Sequence, residues 1–160
     1  MSEMQELSPV WELVSDQVMG GISAGSLSRE DVAGRHAARL TGTVSLENNG
    51  GFLQMAFDVA SAAPDKETRG WLGLEIDVFG NDELYDIRLR TDHLTRPWQS
   101  FRTQIKTERA WQTHRLTFAE FKAHRTDAPF VPDRLRRIGF LGVGRAFDVD
   151  LAVSAVRLFR

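Results

Sequence analysis

The strongest constraint in this sequence is a period of two. In "RLTGTVSL" (residues 39–46), Leu40, Val44 and Leu46 share one parity with Gly42, while Arg39, Thr41, Thr43 and Ser45 take the other. Successive side chains of an extended chain point to opposite sides, so this alternation describes a strand with one buried and one wet face. The pattern returns in "GFLQMAFDV" with Leu53, Met55, Phe57 and Val59, and in "WLGLEIDVF" with Leu72, Leu74, Ile76 and Val78. "LYDIRLRT" continues it with Tyr85, Ile87 and Leu89, and "WQSFRTQI", "WQTHRLTF", "RRIGFLGV" and "FDVDLAVSAVRLF" complete the series. "FGNDE" reads as a hairpin turn, "FAEFKAH" (residues 118–124) as the one short helix, and "PDRLRR" as a further turn. About eight to ten short strands with so little helix predict an all-β fold, a β-sandwich of jelly-roll type or a barrel.

A chain of 160 residues can bury one core without staples, so a single domain is expected. Twenty Lys and Arg face 22 Asp and Glu, a formal charge of -2, which leaves no overall field to hold a nucleic acid. The absence of cysteine removes disulfides, thiol nucleophiles and thiolate metal sites together, and fits a reducing compartment. "MSEMQELSPVW" carries acids where a signal peptide has a basic start and an apolar core, so a cytoplasmic location is expected. Charges interrupt every hydrophobic run, so no integral membrane segment is predicted. "ASAAPDKETRG" (residues 60–70) has the composition of a long surface loop.

The parity opposite the core collects chemistry. Glu75 and Asp77, Asp86, Arg88 and Arg90, Trp98, Arg102 and Gln104, and Trp111, Thr113 and Arg115 all fall on it. Guanidinium forks bind carboxylates or hydroxyl pairs, and flat indoles stack on sugars or anchor protein contacts. Two readings stand: a recognition surface, or a solvated face whose arginines pair across strands with Glu75, Asp77 and Asp86.

Catalytic motifs are missing. His36, His93, His114 and His124 lack paired metal spacing, so no metal and no cofactor is expected. "GVGRAF" is not a dinucleotide fingerprint, no phosphate loop occurs, and Ser15 and Ser23 lie in no nucleophile elbow. The expectation is a protein without catalytic activity. One corner remains, "SLENNGGFLQM": Asn and Gly tolerate positive φ and suit a tight reversal between two strands.

"WELVSDQVMGGISAGSLS" (residues 11–28) followed by "GTVSLENNGGF" (residues 42–52) resembles the signature of the complex I intermediate-associated protein 30 (CIA30) family. The similarity continues through "GNDELYDIRLRT", "WQSFRTQI", "AWQTHRLTFAEF" and "LRRIGFLGV", with Trp98 where the family often has tyrosine and Thr117 where it usually has proline. The resemblance implies a galactose-binding-domain-like jelly roll and, as in the mitochondrial members, a non-catalytic assembly chaperone with respiratory-complex subunits as partners. It transfers the family motif to Asp16, Gly20, Gly21, Ser23, Asn48, Asn49 and Gly50. These residues either clasp the first segment to the corner through side-chain to backbone hydrogen bonds, with Asp16, Asn48 and Asn49 as the locks, or line a pocket for a ligand or a hard cation. A protein-binding assembly or scaffold module is the leading function. The alternatives are a lectin-like carbohydrate-binding module using Trp98 and Trp111, and an uncharacterised enzyme on the same scaffold.

Overall fold

The alternation resolves into two antiparallel sheets packed face to face. The computed structural model describes residues 4–63 and 70–160. Its strands are β1 (Met4–Glu6), β2 (Glu12–Ser15), β3 (Ala24–Val32), β4 (Arg35–Val44), β5 (Phe52–Asp58), β6 (Gly73–Phe79), β7 (Leu84–Thr91), β8 (Ser100–Lys106), β9 (Trp111–Thr117), β10 (Lys122–His124), β11 (Leu135–Val143) and β12 (Phe147–Phe159). Sheet A runs β3-β4-β12-β6-β9, with β1 also on β12; sheet B runs β10-β8-β7-β11-β5-β2. This is the jelly-roll sandwich that the strand pattern and the family resemblance imply.

The core is the expected parity. Leu40, Val44, Leu74, Ile76 and Val78 from sheet A meet Leu53, Met55, Phe57, Tyr85, Ile87, Leu89, Ile138 and Phe140 from sheet B, all fully buried. Each such side chain contributes about 1.5–3 kcal/mol relative to exposure, so the core outweighs any surface contact in holding the sheets together. In β12 the buried set changes parity, from Val149, Leu151 and Val153 to Val156 and Leu158. A β-bulge between Val153 and Ala155 in the pairing with β6 inserts the extra residue that makes this possible. At one end Trp11 packs edge-on against Phe57 and Phe140, with centroids 4.9 and 5.5 Å away. Elsewhere Phe130 joins Phe101 and Phe118 at 5.0 and 5.1 Å.

Several expectations need correction. The predicted helix over residues 118–124 is a 3-10 turn, Phe118–Glu120, followed by β10. Glu120 accepts from the Thr117 N–H at 2.6 Å and its hydroxyl at 3.0 Å, closing the turn after one revolution, and Lys122, Ala123 and His124 then pair with β8. The short helix is instead Val59–Ala62, which takes the last residue of the strand read over "GFLQMAFDV" and the start of the segment read as a loop; residues 64–69 of that segment lie outside the described residues. Leu46 and Leu72, assigned to the buried parity, are 52% and 61% exposed, because β4 ends at Val44 and β6 begins only at Gly73; Trp71 takes the buried place instead. The turn at Pro132–Arg134 is present.

Tyr85 ties the two sheets by a polar contact through the core. Its hydroxyl donates to Asn81 Oδ1 at 2.6 Å and accepts from the Asp150 N–H of β12 at 3.0 Å. Burial pushes the phenol up to about 12, so it stays a neutral donor. Tyr85→Phe leaves a backbone N–H without an acceptor, and urea denaturation is expected to show a loss of about 1–3 kcal/mol with an unchanged slope.

Candidate functional site

The motif residues converge on one carboxylate. Asp16 opens a 3-10 turn, Asp16–Met19, whose exit is Gly20 at φ 87°, a left-handed conformation that glycine adopts without strain. The chain returns to place Ser23 beside Asp16. The Asp16 carboxylate accepts from the Ser23 N–H at 3.0 Å and from the Ser23 hydroxyl. It also accepts from the N–H groups of Gly51 and Phe52, at 2.6 and 3.1 Å, which belong to the asparagine corner. Ser23 Oγ in turn accepts from the Ser45 N–H at 2.8 Å. Both Asp16 and Ser23 are fully buried. Burial raises the Asp16 pKa, but the hydrogen bonds from Ser23, Gly51 and Phe52 outweigh it and hold the carboxyl below the ordinary aspartate value.

The glycines of the motif make room for this carboxylate. A Cβ on Gly21 would lie 2.5 Å from the Asp16 carboxyl carbon, and one on Gly50 would lie 2.6 Å from its Oδ2. Asn48 is exposed, at φ 55° and ψ 38°, and shapes the reversal with its backbone. The lock is therefore Asp16 with Ser23 and backbone N–H groups, and Asn48 serves as a turn residue. The Asn49 side chain lies outside the described residues. Among the described residues no group of three acidic or histidine side chains is placed to hold a metal ion.

The eleven chemistry-bearing residues of the opposite parity divide between two outer faces. Glu75, Asp77, Trp111, Thr113 and Arg115 stand on sheet A, and Asp86, Arg88, Arg90, Arg102 and Gln104 on sheet B, with Trp98 in the loop between β7 and β8. One continuous surface of all eleven is excluded, because β6 and β9 pair with each other and β7 and β8 with each other, in different sheets.

The sheet A face is closed on itself. Arg157 binds Glu75 at 2.9 Å and Asp77 at 2.8 Å, Arg115 binds Glu75 at 3.1 Å, and the Thr113 hydroxyl donates to Asp77 at 2.6 Å. Burial raises the Asp77 pKa, but Arg157, Thr113 and Arg35 outweigh it and bring it below the ordinary value. Trp111 donates its indole N–H to the Val32 carbonyl at 2.9 Å, with Phe79 edge-on and Arg35 over the ring. Cross-strand pairing accounts for this face.

The sheet B face is different. Asp86 accepts from Arg88 at 3.0 Å and from Gln104 at 3.4 Å. Arg90 donates to the carbonyls of Gln99 and Arg96, at 3.2 and 3.0 Å, fastening the loop that presents Trp98, 55% exposed with Arg96 beside its ring. Arg137 pairs with Glu12 and Asp58 at 3.2 and 3.0 Å. The register sets Lys122 opposite Arg102 and Arg102 opposite Arg88. Neither Arg102 nor Lys122 has an acidic partner among the described residues, although like charges directly opposite one another are unfavourable. Burial, then Arg102, Arg88 and Arg125, hold His124 below the ordinary histidine value against the pull of Asp86. Sequence reading missed Lys122 and His124 because it placed them in a helix, and missed Arg137 although its parity, opposite Ile138 and Phe140, marks it as outward.

The family model for complex I intermediate-associated protein 30 (CIA30) matches residues 2–153. The chain belongs to this family. The match spans both halves of the motif gathered around Asp16, so the carboxylate and its glycines lie within the family region. No curated protein matches the sequence at a significant level. Among solved structures, the family 11 carbohydrate-binding module of Clostridium thermocellum in complex with a beta-1,3-1,4-mixed-linked tetrasaccharide superposes with a TM-score of 0.74. That alignment has 13% identity and covers 97% of this chain and 94% of the other. The family 30 module of a cellulosomal cellulase of the same organism gives 0.64 at 15% identity, covering 99% and 96%. At such identities the likeness is one of fold.

Asp16→Asn keeps the volume but turns one acceptor into a donor facing N–H groups, and a loss of about 2–4 kcal/mol in chemical denaturation is expected. Because the folded pKa lies below the unfolded one, the carboxylate stabilises the protein above the unfolded value, and that contribution is lost as pH falls through the folded value. The gap between wild type and Asp16→Asn should therefore narrow in acid. Asn48→Gly, which keeps the left-handed turn, should change stability by less than about 1 kcal/mol.

Proposed function

We propose that this CIA30-family protein is a non-catalytic binding module of the assembly or scaffold kind, which docks a protein partner on the outer face of sheet B. The observation that carries the reading is the asymmetry of the two faces. On sheet A Glu75 and Asp77 are paired with Arg157, Arg115 and Arg35, whereas on sheet B Arg102 and Lys122 have no acidic partner among the described residues, and the loop leading into β8 exposes Trp98 with Arg96 at its ring. An aromatic anchor flanked by arginines is the composition of a protein-binding hot spot. The family description points to respiratory complex I, so its subunits or their homologues are the partners to expect, with binding in the cytoplasm.

A carbohydrate-binding role is the second reading, favoured by the fold shared with the clostridial modules and by the exposed Trp98. Against it, Trp98 lies in a loop between strands of sheet B and Trp111 on a strand of sheet A, where the Val32 carbonyl and Phe79 already hold its indole, which argues against a shared sugar platform.

Affinity capture from a lysate of the source organism tests the choice, using wild type, a sheet B variant (Arg102→Glu, Lys122→Glu) and a sheet A control (Arg35→Ala), each first shown to be folded. The same proteins retained by wild type and control and lost from the sheet B variant are the expected result. Retention indifferent to the sheet B variant contradicts the reading. An empty capture together with binding of mixed-linked glucan oligosaccharides establishes the carbohydrate module instead.

A further inference from the structure

Taking the sheet B face as the docking surface, its β8–β10 end shows what kind of group it receives. Ser100 and Arg102 of β8 share the outward parity, since Phe101 and Ile105 point into the core. His124 is registered opposite Ser100, Lys122 opposite Arg102, and Arg102 opposite Arg88. Ser100 is 4% exposed, and its Oγ is buried without a hydrogen-bond partner. A buried hydroxyl donor left unsatisfied is costly, and so is a row of adjacent cations beside an acid, Asp86, that Arg88 already engages at 3.0 Å. Both costs fall on the same few residues, and both are relieved by one thing, an acceptor carrying negative charge.

We propose that Ser100, Arg88, Arg102, Lys122 and His124 form a carboxylate-recognition niche that receives an acidic segment of a protein partner. The Arg102 fork offers two parallel N–H donors to a carboxylate, Ser100 adds an O–H, and Lys122 contributes a charge that needs no fixed geometry. A polyphosphate strand fits less well, because Asp86, Asp58 and Glu12 interrupt the cationic rows and would repel a continuous line of phosphates. Spaced side-chain carboxylates can alternate with these acids.

Histidine makes the niche sensitive to pH. The groups facing His124 are Arg102 on β8, Arg88 and Asp86 on β7, and Arg125 following β10, with Lys122 on its own strand. In the free protein burial and the arginines keep the imidazole neutral. A carboxylate seated among them favours the protonated ring, so affinity rises as pH falls from neutral, and by reciprocity the His124 pKa rises when the acid binds.

The test titrates the full chain with a short acetylated and amidated peptide alternating glutamate and serine, and with its glutamine counterpart, by nuclear magnetic resonance. Expected are shifts centred on Ser100, Arg102 and His124, a raised His124 pKa in the complex, affinity falling with salt, and no binding of the glutamine peptide. Arg102→Glu should weaken binding roughly tenfold or more. Ser100→Ala should weaken it by a smaller factor while remaining folded, and His124→Gln should remove the pH dependence. Equal binding of both peptides, no binding of either, or tighter binding of a single-stranded oligonucleotide overturns the proposal. Should the lysate capture depend on the sheet B face while the acidic peptide does not bind, the carboxylate niche fails and the docking surface stands.

Discussion

Everything at one end of this sandwich depends on a single buried, ionised carboxylate. Asp16 has no counter-cation among its partners; it is kept charged by a serine hydroxyl and three backbone N–H groups. These donors come from segments far apart in sequence, so the carboxylate replaces the missing sheet pairing between the 3-10 turn after β2 and the corner before β5. Strict geometry follows from this. Gly21 and Gly50 lie so close to the carboxyl that any side chain would displace it, and Gly20 must reverse the chain in the left-handed region. An acid, a serine and glycines at these spacings are thus the minimum parts of one hydrogen-bonded joint, which accounts for a motif rich in polar residues but poor in reactive ones.

The second constraint is sheet order. Two strands that alternate apolar and charged residues look alike in sequence whichever sheet they enter, yet their polar parities face opposite directions once the sheets stack. β6 and β9 send their charges to one side of the molecule, β7 and β8 to the other. On the first side Arg157, supplied by the last strand, lies between Glu75 and Asp77 and completes a closed network. On the second side Arg102 and Lys122 have no acidic partner among the described residues. The proposed function rests on that imbalance, since the fold alone is shared with a module solved in complex with a tetrasaccharide.

Much of the fold was legible because period two is a local signal: Leu53, Met55 and Phe57, or Tyr85, Ile87 and Leu89, announce their own burial. β3 gave little such signal, because "AGSLSREDV" on the sheet edge has only Leu27 and Val32 to bury. β10 was hidden by its neighbours, since "FAEF" followed by a lysine and a histidine reads as an amphipathic turn of helix, and only pairing with β8 shows otherwise. The same error hid Lys122 and His124. At the motif, the residue types were readable but not the division of labour. Asn48 and Asn49 looked like locks beside Asp16 because asparagine side chains offer hydrogen bonds, whereas the corner's donors to Asp16 are the backbone groups of Gly51 and Phe52, which no sequence pattern displays.

The most direct test of the Asp16 joint is native-state hydrogen exchange of the Gly51 and Phe52 amides in the ligand-free protein. If Asp16 holds the corner as a structural element, both amides exchange as slowly as those of the central β5 residues, through global unfolding. Fast exchange at both, with β5 still protected, would mean that the corner is open in solution and free to receive a ligand, contradicting the structural role assigned to the motif.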